Sequence, residues 1–186
     1  MNPGRIICIV GPSCAGKTTA AGFLQREGFT VMQASKYPRN RYSASGSNLG
    51  LLEYVKKEFE AKGMDTFASE LVRDLRDHLE EDADGKYVID GFRAPEEVEL
   101  VGREVATTRA IAVFANARVR FERNLARKSK ASIDDYFRFA MKDFTEYSFG
   151  LARLIASANR MIINEESLAV FESKVLSVVR ESLTIA

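Results

Sequence analysis

Gly11-Pro12-Ser13-Cys14-Ala15-Gly16-Lys17-Thr18 reads G-x-x-x-x-G-K-[ST], and its neighbours decide what that pattern means. The apolar run Ile6-Ile7-Cys8-Ile9-Val10 precedes it, and a stretch with helical spacing from 19 to 27 follows. A strand that turns through glycines into a helix presents successive backbone N–H groups to an anion, reinforced by the positive end of the helix dipole. In such a loop Gly11, Ser13, Cys14, Ala15, Gly16 and Thr19 line the cradle. Lys17 reaches the β and γ phosphates, and the Thr18 hydroxyl ligates magnesium. The expectation is a protein that binds ATP with Mg2+.

Outward from the loop, four further short apolar runs at 29–32, 87–89, 110–114 and 161–163 alternate with helical patterns. That alternation predicts an α/β fold with a parallel sheet covered on both faces. Helical stripes are expected at Leu51, Leu52, Val55 and Phe59, and at Phe67, Leu71, Leu75 and Leu79 with Asp65 as cap. Others fall at Phe137, Met141 and Phe144, and at Leu168, Phe171, Val175 and Val178. A chain of 186 residues without repeats or low-complexity linkers reads as one domain. Its core would comprise 1–33, 86–119 and 158–186, with an acceptor-binding arm of two helices at about 34–85 and a lid at about 120–145.

Composition narrows the classes. A net charge of +1 speaks against a nucleic-acid partner, and no apolar run approaches membrane-spanning length. The N-terminus enters the first strand directly, leaving no room for a signal peptide, so a cytoplasmic location is expected. Cys8 and Cys14 could be bridged only by straining the loop, and with the lone His78 they cannot build a zinc site.

The strand-like Tyr87-Val88-Ile89 ends in Asp90-Gly91-Phe92-Arg93. An acid at the carboxyl end of a strand beside a phosphate loop holds magnesium, so the metal set is Thr18 and Asp90. Arg93 would project into the same crevice and fork onto an acceptor phosphate. Residues 28–52 contain no Asp or Glu and carry Lys36, Arg39 and Arg41. A stretch of cations without a carboxylate base suits an acceptor that is already an ionised phosphate. Arg120, Arg123 and Arg127 recur at three and four residues and could clamp the transferring group, with a mobile lid at 127–135 and Lys142 facing back toward it.

Together these motifs resemble the nucleoside monophosphate kinase group of P-loop proteins, near adenylate kinases and dephospho-coenzyme-A kinases and including an uncharacterised, mostly archaeal branch. Ile89-Asp90-Gly91-Phe92-Arg93 is similar to the Asp-Gly-Phe-Pro-Arg turn of adenylate kinases, without the proline. The segment 158–168 is similar to the fifth strand and final helix start of dephospho-coenzyme-A kinases. The resemblance implies a three-layer α/β/α P-loop NTPase fold, its five parallel strands ordered 2-3-1-4-5. It places Asn164 beside the adenine and has Arg123 and Arg127 contact the donor base and phosphates, so that Arg123 and Asn164 bind the cofactor. Lys17, Asp90, Arg123 and Arg127 are expected to be catalytic, and Lys36, Arg39, Arg41, Arg93 and Arg120 are expected to bind the acceptor.

Three departures stand out. Gln33-Ala34-Ser35 replaces the aspartate that usually follows the second strand, which weighs against a hydroxyl acceptor. Ser132 replaces an arginine before the paired Asp134-Asp135, and Lys142 replaces a second lid arginine. The expected activity is ATP-dependent phosphorylation of a nucleoside or deoxynucleoside monophosphate by a monomer or homodimer. The alternatives are a kinase for another small acceptor such as dephospho-coenzyme A, or an ATP-hydrolysing switch.

Overall fold

The computed structural model describes residues 6–128, 132 and 134–184. The sheet begins with β1 (Ile6–Val10), buried along its whole length. Such a strand needs cover on both faces, and its side chains alternate between two apolar clusters. Ile6, Cys8 and Val10 enter one cluster, while Ile7 and Ile9 enter the other.

The strands β2 (Thr30–Gln33), β3 (Tyr87–Asp90), β4 (Thr108–Phe114) and β5 (Arg160–Ile163) complete a parallel sheet in the order β2-β3-β1-β4-β5. The layers form an α/β/α sandwich. On one face lie α1 (Lys17–Arg26) and α9 (Leu168–Thr184), through Phe23, Leu24, Phe171 and Val175. The other face is covered by α4 (Ala68–Glu81), α5 (Pro95–Glu104) and α8 (Ala152–Ala156), through Leu71, Leu75, Val101 and Leu154. Because all strands run the same way, the loop after β1 and the turn after β3 open at one edge, where open α/β sheets place their ligands.

The arm differs from expectation. Three helices, not two, lie between β2 and β3: α2 (Lys36–Ser45), α3 (Leu51–Lys62) and α4. The acid-free stretch has no strong apolar stripe, so periodicity missed α2, which Gly46 ends in the left-handed conformation (φ +63°). Asp65 lies in the turns before α4 and offers only its carbonyl oxygen, to the Ser69 amide.

The remaining helices are α6 (Ala117–Leu125) and α7 (Asp134–Glu146), with a kinked turn at Tyr147–Leu151, where Gly150 leaves helical geometry, leading into α8. The apolar stripe expected to bury α7 faces outward, with Phe137, Met141 and Phe144 66%, 62% and 70% exposed. The buried side carries Phe139, Asp143 and Glu146. In α9, similarly, Leu168 is exposed while Phe171, Val175 and Val179 are buried. Among the described residues no helix is long and apolar enough to cross a membrane.

Candidate active site

The loop after β1 is held open from behind. Gly11 (φ +140°), Cys14 (φ +62°) and Gly16 (φ +107°) take left-handed conformations that curl the chain between β1 and α1. A Cβ on Gly11 would stand 2.1 Å from the Val113 carbonyl oxygen, and one on Gly16 would stand 2.3 Å from Asn164 Nδ2. Several loop carbonyls turn backward to donors. Ala15 O accepts from Asn164 Nδ2 at 2.8 Å and Ser13 O from Arg120 Nη1 at 3.2 Å. With carbonyls drawn to the rear, the front has the polarity of an anion cradle.

Lys17 is buried and donates from Nζ to the Pro12 carbonyl at 3.0 Å. Burial, with the nearby Arg93 charge, pushes its ammonium pKa down to about 8. A phosphate would replace the carbonyl with a full negative charge and favour the protonated form. Thr18 is the second residue of α1, and its Oγ1 donates to Asp90 Oδ2 at 2.7 Å, joining the loop to the end of β3. This hydroxyl and carboxylate fit a hard cation such as magnesium. Among the described residues no group of three or more His, Cys, Asp or Glu gathers around a metal position. Thr18 and Asp90 offer too few ligands for a six-coordinate ion, so the ion that suits them is one arriving with phosphate oxygens.

The arginines of α6 separate. Arg120 is 2% exposed and forks onto Asp143 of α7, Nη1 to Oδ1 at 2.8 Å and Nη2 to Oδ2 at 2.6 Å. Its Nε donates to Ala115 O at 2.9 Å, so every edge of the guanidinium is engaged within the protein. Arg120, expected to bind the acceptor, is buried here and joins the loop, α6 and α7. Arg123 donates from Nη2 to Asn164 O at 2.9 Å and lies 3.5 Å from the Cys14 and Ala15 carbonyls, behind the loop. Asn164 itself is buried and serves the loop through its side chain. Arg127 falls beyond the end of α6 and is exposed, so the three arginines do not share one helical face. Of the expected lid, positions 129–131 and 133 lie outside the described residues. Ser132 donates its amide to Asp135 Oδ2 at 2.7 Å, and Asp135 also pairs with Lys128.

A cleft of about 160 Å³ lies next to the loop, linked to it by Glu146, which lines the cleft and accepts from Ser13. Leu51, Leu52, Val55, Phe59, Phe67 and Phe149 form its apolar walls, while Arg39, Arg93, Glu97, Lys142 and Glu146 supply charge. Arg39 is exposed and lines this cleft. Lys36 instead pairs with Asp74 at 3.8 Å on another surface, and lines a separate cleft with Asp74 and Glu70. Arg41, also expected at the acceptor, is engaged elsewhere in this structure. It binds Glu58 at 3.0 Å, Glu70 and the Thr66 carbonyl, and lies 4.5 Å above the Phe67 ring. It ties α2 to α3 and α4 rather than facing the cleft.

Two carboxylates in this cleft were not singled out from sequence. Glu97, in the first turn of α5, accepts from the backbone N–H of Arg93 at 2.5 Å and of Ala94 at 3.0 Å, half of a capping box. Burial pushes its pKa up to about 7. Glu146 is 4% exposed and accepts from Ser13 Oγ at 2.9 Å (Oε1) and 3.1 Å (Oε2). Arg93 Nη2 lies 3.4 Å from its Oε1 and Lys142 Nζ 4.0 Å from the same atom. Burial opposes ionisation of Glu146, but Arg93, Lys142 and Lys17 hold its carboxyl below the usual range. The acid-free arm therefore did not predict an acid-free cleft: both acids arrive from α5 and α7. Their sequence signal was weak, since Asp143 and Glu146 sit opposite a more conspicuous apolar stripe.

Comparison with known proteins extends these observations. The AAA domain family matches residues 7–140. A UPF0200 protein from Methanopyrus kandleri is 33% identical over 181 residues, covering 96% of this chain and 90% of its own. Shikimate kinase from Bacteroides thetaiotaomicron superposes with a TM-score of 0.59 at 19% identity, covering 95% of this chain and 97% of its own. Dephospho-CoA kinase from Campylobacter jejuni does so with a TM-score of 0.56 at 13% identity, covering 96% of each chain. At these identities the two structures establish a shared P-loop kinase-like fold.

Proposed function

The chain belongs to the UPF0200 family and carries an AAA-domain P-loop, and from that premise we propose that it is an Mg-ATP-dependent phosphotransferase acting on a nucleoside monophosphate. The observation that carries this reading is the abutment of two sites. Arg93 and Glu146 line the acceptor cleft, and Glu146 also touches Ser13 of the phosphate loop. In-line transfer requires donor and acceptor phosphates to meet at such a junction. The loop amides and Lys17 hold the donor phosphates. Thr18 and Asp90 would hold magnesium, which would supply neutralisation of the phosphate charge. Arg39, Arg93 and Lys142 face an anionic acceptor, and the apolar walls fit its base or sugar. Arg123 keeps the loop in register from behind. An acceptor phosphate needs placement and charge neutralisation, not deprotonation.

A hydroxyl-bearing acceptor is the second reading, favoured by Glu146 and Glu97 in the cleft wall, since a carboxylate there could take the hydroxyl proton. A coupled ADP-release assay across monophosphates and small hydroxylated acceptors separates the two. Release dependent on a monophosphate is expected, with Lys17→Ala reducing it at least 100-fold while far-UV circular dichroism is unchanged. Release driven only by a hydroxyl acceptor selects the second reading. Steady acceptor-independent hydrolysis removes both in favour of a switch.

A further inference from the structure

Glu146 is an ionised carboxylate set against an anion-binding loop, an arrangement with no advantage for holding phosphate. It lies at the last position of α7, immediately before the kinked turn at Tyr147–Leu151. Gly150 in that turn takes φ +110°, and a Cβ there would stand 2.9 Å from Arg153 Nη2. Glu146 shares the buried face of α7 with Phe139 and Asp143, at i+7 and i+3 spacing, and is 4% exposed.

Its position is fixed from two directions. On the donor side both carboxylate oxygens accept from Ser13 Oγ, at 2.9 and 3.1 Å. On the acceptor side it lines the cleft together with Arg93 and Lys142, whose cations lie 3.4 and 4.0 Å away. A γ-phosphate in this loop takes the same neighbourhood. It must be within reach of Lys17, must face the acceptor cleft, and needs cations at the junction. Carboxylate and γ-phosphate thus compete for one set of positive groups, and their like charges repel in a largely dehydrated pocket.

We propose that Glu146 is an internal occupant of the γ-phosphate position, a latch that a triphosphate must displace and a diphosphate need not. By opposing only the terminal phosphate, the latch narrows the preference of the loop for ATP over ADP. Ser13 is its fastening on the loop, and Arg93 with Lys142 stabilises its charge while the latch is closed. The inference rests on the reading of the loop as a nucleoside triphosphate cradle.

The test is calorimetric titration of the full chain with Mg-ADP and with a non-hydrolysable Mg-ATP analogue. Glu146→Gln keeps the shape and a hydrogen-bonding partner for Ser13 but removes the charge. It is expected to tighten the triphosphate analogue about tenfold while changing ADP affinity by less than about twofold. Ser13→Ala, which deletes the fastening without touching the buried charge, is expected to shift the same ratio in the same direction by a smaller factor. It answers the question if Glu146→Gln does not fold. An equal change for both nucleotides, or weakened triphosphate binding, overturns the latch alone. Failure of the unaltered protein to bind either nucleotide overturns the cradle reading and the latch with it.

Discussion

At the scale of single residues, the phosphate loop depends on positions where a side chain cannot be accommodated. Gly11 combines φ +140° with a Val113 carbonyl oxygen 2.1 Å from where a Cβ would stand. The neighbour is backbone of a buried strand and cannot swing away. Gly11→Ala is therefore expected to destabilise the fold by more than about 2 kcal/mol in a denaturant titration. Gly22 is the contrast, since it sits inside α1 and a Cβ there would meet nothing within 4 Å. Gly22→Ala should stabilise by roughly 0.5–1 kcal/mol in the same measurement, through helix propensity. Motif and glycine pattern were both readable in the sequence because a P-loop is a local solution with its requirements encoded at fixed spacing.

At the scale of elements, buried polar pairs decide how helices sit on the loop. The Arg120–Asp143 fork joins α6 to α7, and both residues are largely buried. Removing one member leaves the other charge without compensation. Asp143→Ala is thus expected to cost about 3–5 kcal/mol by thermal or chemical unfolding, and to weaken nucleotide binding because Arg120 also holds Ser13 O. Glu97 offers a pH readout. Its folded pKa, about 7, lies above its ordinary 4.5, so the folded chain holds that proton more tightly than the unfolded chain. The resulting stability is fully present below pH 4.5 and is lost as pH rises through 7. Glu97→Gln should flatten that fall when unfolding free energy is measured across pH 4–8. An unchanged slope would assign the pH dependence to other groups. In α7 two faces share helical periodicity, one with Phe137, Met141 and Phe144, the other with Phe139, Asp143 and Glu146. Hydrophobicity alone selects the first. The structure buries the second because Arg120, Arg93 and the loop supply partners for its acids.

At the scale of the whole molecule, the cleft proposed for the acceptor forms where α2 and α3 meet the rest of the chain. Phe59 of α3 stands at that junction, its ring 5.4 Å from Phe67 and 5.2 Å from Phe149 of the kinked turn after α7. Phe59→Leu should cost about 1–2 kcal/mol of stability and loosen the arm. Acceptor KM is then expected to rise severalfold with ATP affinity within about twofold; parallel loss of both would place the effect in the loop instead. The sequence by itself determined the sheet order through its resemblance, the phosphate loop, and the Thr18 and Asp90 pair, each written in short contiguous runs or in strand-ending turns. Tertiary structure alone decided which cations line the cleft. Arg41 and Arg120 are consumed by carboxylates 17 to 29 positions away, whereas Arg39 and Arg93 reach the cleft. It also brought Glu146 to Ser13 across 133 positions. The reason is physical. Backbone geometry at a loop follows from neighbours in the chain, but the partner of a charge is set by Coulombic and desolvation balance among whatever groups packing brings close.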